Sequence, residues 1–248
     1  MKACKSVAFI FLAGMLMVSG TAFAADVTTA VDVNSAYVWR GITFNDGVVL
    51  QPSVNVAAGN GFNLNVWGNL DVDDYDDKLD SGEFSEVDLT MSYTHQAGPV
   101  ALTAGYIEYL FPTTETGGAE GTREVYLDAS MAPAEGFSIG LTSYYDFDEV
   151  DDFYLNPYLG YGMELMPKLS MSLRAAAGYA GEDFAMAYGG DDSGFFDYTL
   201  SAGLTYAVKD NVSVTGRLAY TDAIDDDVLV EPPQDVNFYG GVGVAVTF

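Results

Sequence analysis

From Val27 to the C-terminus, large apolar residues alternate with small or polar ones, with a period of two. In the stretch 169–180, Leu169, Met171, Leu173, Ala175, Ala177 and Tyr179 share one parity, and Ser170, Ser172, Arg174, Ala176 and Gly178 share the other. The last stretch follows the same rule, with Val236, Phe238, Val242, Val244, Val246 and Phe248 against Asn237, Tyr239, Gly241, Gly243 and Thr247. Side chains on a strand point to opposite faces in turn, so each run predicts a strand with one greasy and one wet face. Twelve such strands are predicted, over 27–39, 48–58, 61–71, 84–96, 99–111, 122–132, 137–147, 152–165, 169–180, 194–208, 211–223 and 235–248. No stretch after Val27 carries the spacing of an amphipathic helix.

The connectors alternate between short and long. Gly59-Asn60, Ala97-Gly98, Pro133 to Gly136, Met166 to Lys168 and Lys209-Asp210 are tight turns; 40–47, 72–83, 112–121, 148–151, 181–193 and 224–234 are loops. A meander with that rhythm puts all turns at one end and all loops at the other. The predicted fold is therefore all-β: a transmembrane up-and-down antiparallel barrel of 12 strands over 25–248, with both termini periplasmic. A soluble barrel or sandwich would give the same alternation with its greasy face inward. Strand length argues against it, since crossing hydrocarbon on a tilt takes about 9–11 residues whereas soluble strands run nearer five or six. So do aromatic residues at both strand ends, predicted as interfacial girdles: Tyr37, Trp39, Tyr145, Phe153, Tyr179 and Phe238 near the loops, and Phe62, Tyr93, Phe137, Tyr206 and Phe248 near the turns.

Composition sharpens the compartment. Lys2 and Lys5, an apolar run from Val7 to Val18 and the site Ala22-Phe23-Ala24 predict a signal peptide over 1–24. The run is too short for a spanning helix, and the single cysteine, Cys4, lies in the predicted leader, so the remainder can form no disulfide. The net charge is −27, and loss of the two leader lysines deepens it by two. Such a balance repels nucleic acid. The carboxylates concentrate in the long connectors while the tight turns are close to neutral, so one end of the molecule is anionic.

Asn34-Ser35-Ala36-Tyr37-Val38-Trp39-Arg40-Gly41-Ile42-Thr43, then Pro52, Gly61-Phe62 and Val66-Trp67-Gly68-Asn69, resembles the opening of the TorF-type porin family of bacterial outer-membrane β-barrel proteins. The resemblance is clearest over about the first 45 residues after the leader and is a matter of pattern beyond them. It implies a Gram-negative outer membrane and a pore, without a defined substrate. Terminal Phe248 on an alternating last strand resembles the signal read by the barrel-assembly machinery. By parity, Tyr37 and Trp39 are expected at the outer rim facing lipid, and Arg40 at the mouth.

Candidate chemistry is sparse. His95 shares parity with Met91 and Tyr93 near a turn, which places it on the lipid side and leaves no base for a hydrolase triad; the expectation is no enzyme and no cofactor. On the lumen parity, Arg174 and Arg217 fall at mid-height, with Asp88, Glu124 and Asp128 at similar height toward the other side of the ring, so that a transverse field is expected across the bore. Adding Asp32, Glu86, Asp146, Glu164 and Asp197 to that parity against Arg40, Arg174 and Arg217 predicts cation preference. The expected function is a porin-like channel for passive diffusion of small cationic or zwitterionic solutes, with a pore lined by Arg174, Arg217, Asp88, Glu124, Asp128, Glu164 and Arg40. The alternative is a closed structural or interaction barrel, in which these charges pair and plug the bore while the acidic surface loops bind divalent cations or a partner. Asp73, Asp74, Asp76 and Asp77 in one loop are hard oxygen donors suited to Ca2+ or Mg2+, which would bridge them to the anionic lipopolysaccharide of the outer leaflet. Their spacing is not that of an EF-hand. Whether 181–193 folds into the bore, and whether barrels associate, stay open at this level.

Overall fold

The structure, a computed structural model, describes residues 25–72, 81–112, 121–230 and 236–248. Fourteen strands and one short helix follow in chain order among them: β1 (Ala25–Asn34), β2 (Tyr37–Trp39), β3 (Ile42–Asn45), β4 (Val49–Ala58), β5 (Phe62–Asp71), β6 (Phe84–Ala97), β7 (Val100–Leu110), β8 (Thr122–Ala134), β9 (Phe137–Asp146), β10 (Asp152–Met166), β11 (Leu169–Ala180), α1 (Glu182–Ala187), β12 (Gly194–Lys209), β13 (Val212–Ala223) and β14 (Phe238–Thr247). Twelve of the strands close a barrel in the order β1-β14-β13-β12-β11-β10-β9-β8-β7-β6-β5-β4, every neighbour antiparallel. β2 and β3 form a separate hairpin. Closure leaves no unpaired sheet edge, which is the condition for a sheet to cross lipid. No helix among the described residues is long and apolar enough to cross.

Parity decides which face meets which medium. Phe62, Leu64, Leu127, Leu159, Leu200, Leu218, Phe238 and Val242 all project outward and are exposed, Leu159 at 60% and Phe238 at 64%. A water-soluble barrel would bury that set; here it makes an apolar belt, and the greasy-inward alternative is excluded. The predicted aromatic girdles face outward at Phe62, Tyr93, Phe137, Tyr206 and Phe248 near the turns and at Tyr145, Phe153 and Phe238 near the loops. β14 closes on β1, from Thr28 opposite Thr247 to Asn34 opposite Gly241, and Phe248 N–H donates to the Val27 carbonyl at 2.8 Å. Both ends of the barrel chain therefore lie at the turn end.

The first predicted strand, 27–39, departs from this pattern. The stave stops at Asn34; Ser35 still bonds Gly240 in both directions, and from Ala36 the chain bends into the bore. β2 and β3 then form a tight hairpin with Trp39 opposite Ile42, turning on Arg40 and Gly41 with φ +48° and +79°. Two consecutive positive φ values are what a two-residue hairpin turn requires. Gly41 has a second constraint, because a Cβ there would lie 2.7 Å from Asp197 Cβ and 2.9 Å from Leu229 Cδ2. Tyr37 and Trp39 are therefore not part of the lipid-facing girdle: Tyr37 is buried inside the barrel and Trp39 packs against Phe44, Tyr109, Phe184 and Tyr188. Period-two spacing identifies an extended chain and says nothing of which sheet that chain joins.

Candidate functional site

The lumen has two parts. At the loop end it is filled. The β2–β3 hairpin enters from the β1–β4 seam, and the segment carrying α1 enters between β11 and β12. Phe184 and Ala185 of α1 join Ile42, Tyr154, Phe196, Val228 and Leu229 in a small apolar core, with Phe184 only 1% exposed. α1 has no capping side chain of its own; Asp152 Oδ2, from β10, accepts the Phe184 N–H at 3.0 Å. The stretch 181–193 thus folds inward.

Arg40 is the centre of this plug. It reaches from the hairpin tip toward the opposite side of the ring and forms a bidentate pair with Glu124 of β8, at 2.8 and 2.7 Å. The side chains are 8% and 3% exposed. Four rings surround the guanidinium, Trp39, Tyr144, Tyr154 and Phe184, with centroids at 4.1, 4.3, 4.5 and 5.3 Å. Burial by itself would favour loss of the proton, but the Glu124 carboxylate outweighs it and Arg40 holds its charge more firmly than in water. Burial also pushes the Tyr188 phenol up to about 12, so it stays neutral in the same nest. Arg40 is therefore buried in the loop-end plug, paired with a residue that stands opposite Asp146, the last residue of β9.

Other polar groups of the plug and its rim are bonded in chains. Tyr37 Oη donates to Glu86 at 2.8 Å and Tyr109 Oη to Glu124 at 2.9 Å. Asn45 and Asn69 both donate to Asp71 Oδ1, at 2.6 and 3.0 Å, and Tyr154 Oη donates to Asp197 at 2.5 Å. Asp146 accepts from Thr122 Oγ1 at 2.6 Å and from the Asp148 N–H at 2.9 Å. Asp88 lies beside Glu86 with its Oδ1 buried and unbonded. Four of the lumen carboxylates that predicted cation preference, Glu86, Glu124, Asp146 and Asp197, are thus bonded within the plug and its rim.

Below the plug the lumen is hollow. A cavity of about 740 Å3 runs from Ala36, Tyr37 and Val38 on the underside of the hairpin to Ser138 and Thr215 near the turns. Lumen-facing Gln96, Glu164 and Ser170 at the turn end are exposed, so water reaches it from that side. Arg174 and Arg217 line it. Arg217 pairs with Asp32, whereas Arg174 Nη2 donates to Asn156 Oδ1 at 3.1 Å and its guanidinium lies over the Tyr158 ring at 4.4 Å. Asp128, behind that ring, accepts from Tyr158 Oη at 3.1 Å and from Thr142 Oγ1 at 2.9 Å. Of the seven predicted pore-lining residues, the fold brings Arg40 and Glu124 into contact. It sets Arg174 and Arg217 in the cavity, and leaves Asp88, Asp128 and Glu164 apart from one another.

Asp73, Asp74, Asp76 and Asp77 lie outside the described residues, as does the predicted leader over 1–24. Among the described residues no group of three or more metal-ligating side chains is placed to hold an ion. Chain spacing alone did not reveal Asn156, Tyr158, Phe184 and Leu229 as parts of the lumen. Tyr158 could have been found, since it shares lumen parity with Glu164 and faces the Arg174 strand.

A closed antiparallel barrel with an apolar outer belt, short turns at one end and a polar, loop-plugged interior defines a class: the outer-membrane β-barrel. Within that class, the chain belongs to the family described as "Bacterial protein of unknown function (Gcw_chp)", whose model matches residues 19–245. That match does not carry the TorF name, and no curated protein sequence matches the chain. Among solved structures, the chain is similar to the KdgM porin in complex with disordered oligogalacturonate, at 12% identity and a TM-score of 0.56 over 90% of this chain and 99% of that one. It is also similar to an outer-membrane channel from Pseudomonas putida F1, at 12% identity and a TM-score of 0.55 over 93% and 97%. At such identities the likeness is one of fold.

Proposed function

We propose that this protein is a porin-like channel of the bacterial outer membrane, passing small zwitterionic solutes, with its turn end and both termini toward the periplasm and its loop end closed at rest by the β2–β3 hairpin and α1. One observation carries the reading. The wall leaves a hollow of about 740 Å3 in the polar bore, and what closes the bore above it is a plug in which the β2–β3 hairpin, α1 and Val228–Leu229 pack against Tyr154 and Phe196 of the staves. A purely structural barrel of this circumference has no need of a water-reached hollow. The charged side chains that line the hollow are Arg174 and Arg217, with Asp32 on Arg217 and Glu164 at the turn end, while Glu86, Glu124, Asp146 and Asp197 are bonded in the plug and its rim, which moves the expected solute from cationic toward zwitterionic.

Conductance in planar bilayers tests this. The wild type is expected to conduct weakly, in short openings. Arg40→Ala, which removes the guanidinium from its ring cage and from Glu124, is expected to raise the open fraction severalfold. The rival reading of a static, closed barrel draws on the burial of the Arg40–Glu124 pair among four rings. Silence in the wild type, in Arg40→Ala and in Phe184→Asp alike, with all three folded, would decide for it.

A further inference from the structure

The cavity contains a feature that a diffusion path does not require. Arg174 and Arg217 flank β12 on its two sides, and each is framed by residues with almost no side chain. Arg174 stands opposite Gly160 of β10 and Ser201 of β12; Arg217 stands opposite Gly203 of β12 and Gly241 of β14. All six line the cavity. The strand between them presents Thr199, Ser201 and Gly203 to the lumen, so the floor between the two guanidinium groups is shallow and carries hydroxyls.

The two arginines are not equivalent. Arg217 is already partnered by Asp32. Arg174 has no carboxylate within ion-pair distance among the described residues, and its contacts are a neutral amide and a ring face. Those contacts orient it without neutralising it. Asn156 Oδ1 takes one N–H, Tyr158 supports the plane from beneath, and Tyr158 is itself held by its hydroxyl bond to Asp128. The ring can lie flat there because the residue under it is Gly140, where a Cβ would collide with Tyr158 Cζ and Oη. A planar guanidinium fixed by one edge and one face presents its remaining N–H groups as a fork, the geometry that matches a carboxylate in two parallel hydrogen bonds.

We infer that the turn-end cavity is a binding site for a small organic carboxylate, held by the Arg174 fork and by the hydroxyls of Thr199 and Ser201, with Arg217 as a second, partly neutralised cation. The volume suits such a ligand, since small-molecule sites run from about 300 to 1,000 Å3. The inference rests on the channel reading only for the route by which the ligand enters and leaves.

The test uses the full barrel refolded in detergent, titrated calorimetrically with succinate, with its uncharged diamide succinamide, and with 1,4-diaminobutane. Saturable binding of succinate, at least about tenfold tighter than either comparison compound, is expected. Arg174→Gln and Arg174→Ala are each expected to weaken it about tenfold or more, and Arg217→Gln less, because that cation is already engaged. Heat-modifiable gel mobility reports whether each variant has folded, and Val244→Ala, on the outer face, serves as a folded control. Equal binding of succinate and succinamide, or unchanged succinate binding in folded Arg174→Gln, overturns the site. A barrel that conducts but does not bind succinate defeats this inference alone; one that binds but never conducts defeats the channel reading alone.

Discussion

At the scale of single residues the molecule is governed by what surrounds two arginines. Arg40 is desolvated and fully partnered; Arg174 is exposed and only half engaged. The energetic consequence for Arg40 is asymmetric. Removing one partner of a buried pair leaves the other charge stranded, which costs about 3–5 kcal/mol, more than the pair itself contributes. Glu124→Gln is accordingly expected to lower stability by about that amount in urea unfolding, and Arg40→Lys to recover little, since an ammonium can neither bond in two places nor stack among four rings. Gly41→Ala should act through the same element without touching charge. The new methyl meets Asp197 and Leu229, and the positive φ adds strain, so the hairpin tip is displaced and conductance rises.

Among elements, the barrel staves and the plug obey different rules. Each stave is pinned on both sides by its ladder. α1 is six residues long and is kept helical by the burial of Phe184 and by the Asp152 carboxylate that caps it from β10. A helix of that length does not persist alone in water. Asp152→Ala is therefore expected to make 182–187 the first site cut by protease added to the loop end, while heat-modifiable mobility shows the barrel intact. This division also explains which elements could be read from the chain. All twelve staves are apparent from alternation, because lipid outside and water inside impose period two over their whole length. α1 leaves no periodic trace, being fewer than two turns long. β2 reads as part of the first stave because Tyr37 and Trp39 continue the alternation past Ser35.

For the whole molecule, the distribution of apolar surface is inverted relative to a water-soluble protein, and this inversion is open to a direct test. Leu127→Arg, on the belt, is expected to cost about 2–4 kcal/mol of stability in a bilayer, whereas Thr215→Arg, facing the cavity, should cost far less. Equal costs for the two would mean the belt does not face lipid. The segregation of carboxylates has a similar global meaning. Those in the filled half of the bore are bonded within the plug and its rim, so the field that a solute meets in the hollow half is set by Arg174, Arg217, Asp32 and Glu164 rather than by the total charge.

The amino-acid sequence by itself determined the number of barrel strands, the alternation of turns and loops and the outward face of the staves, because each of these follows from local periodicity or composition. Only the tertiary structure decided that the hairpin and α1 fold inward, that Arg40 meets Glu124 across the bore, and that Arg174 is left without an acidic partner among the described residues. Those are contacts between residues far apart in the chain, chosen by how loops fill a closed ring. A period of two records the face a residue takes, and is silent on the side chain it will find there.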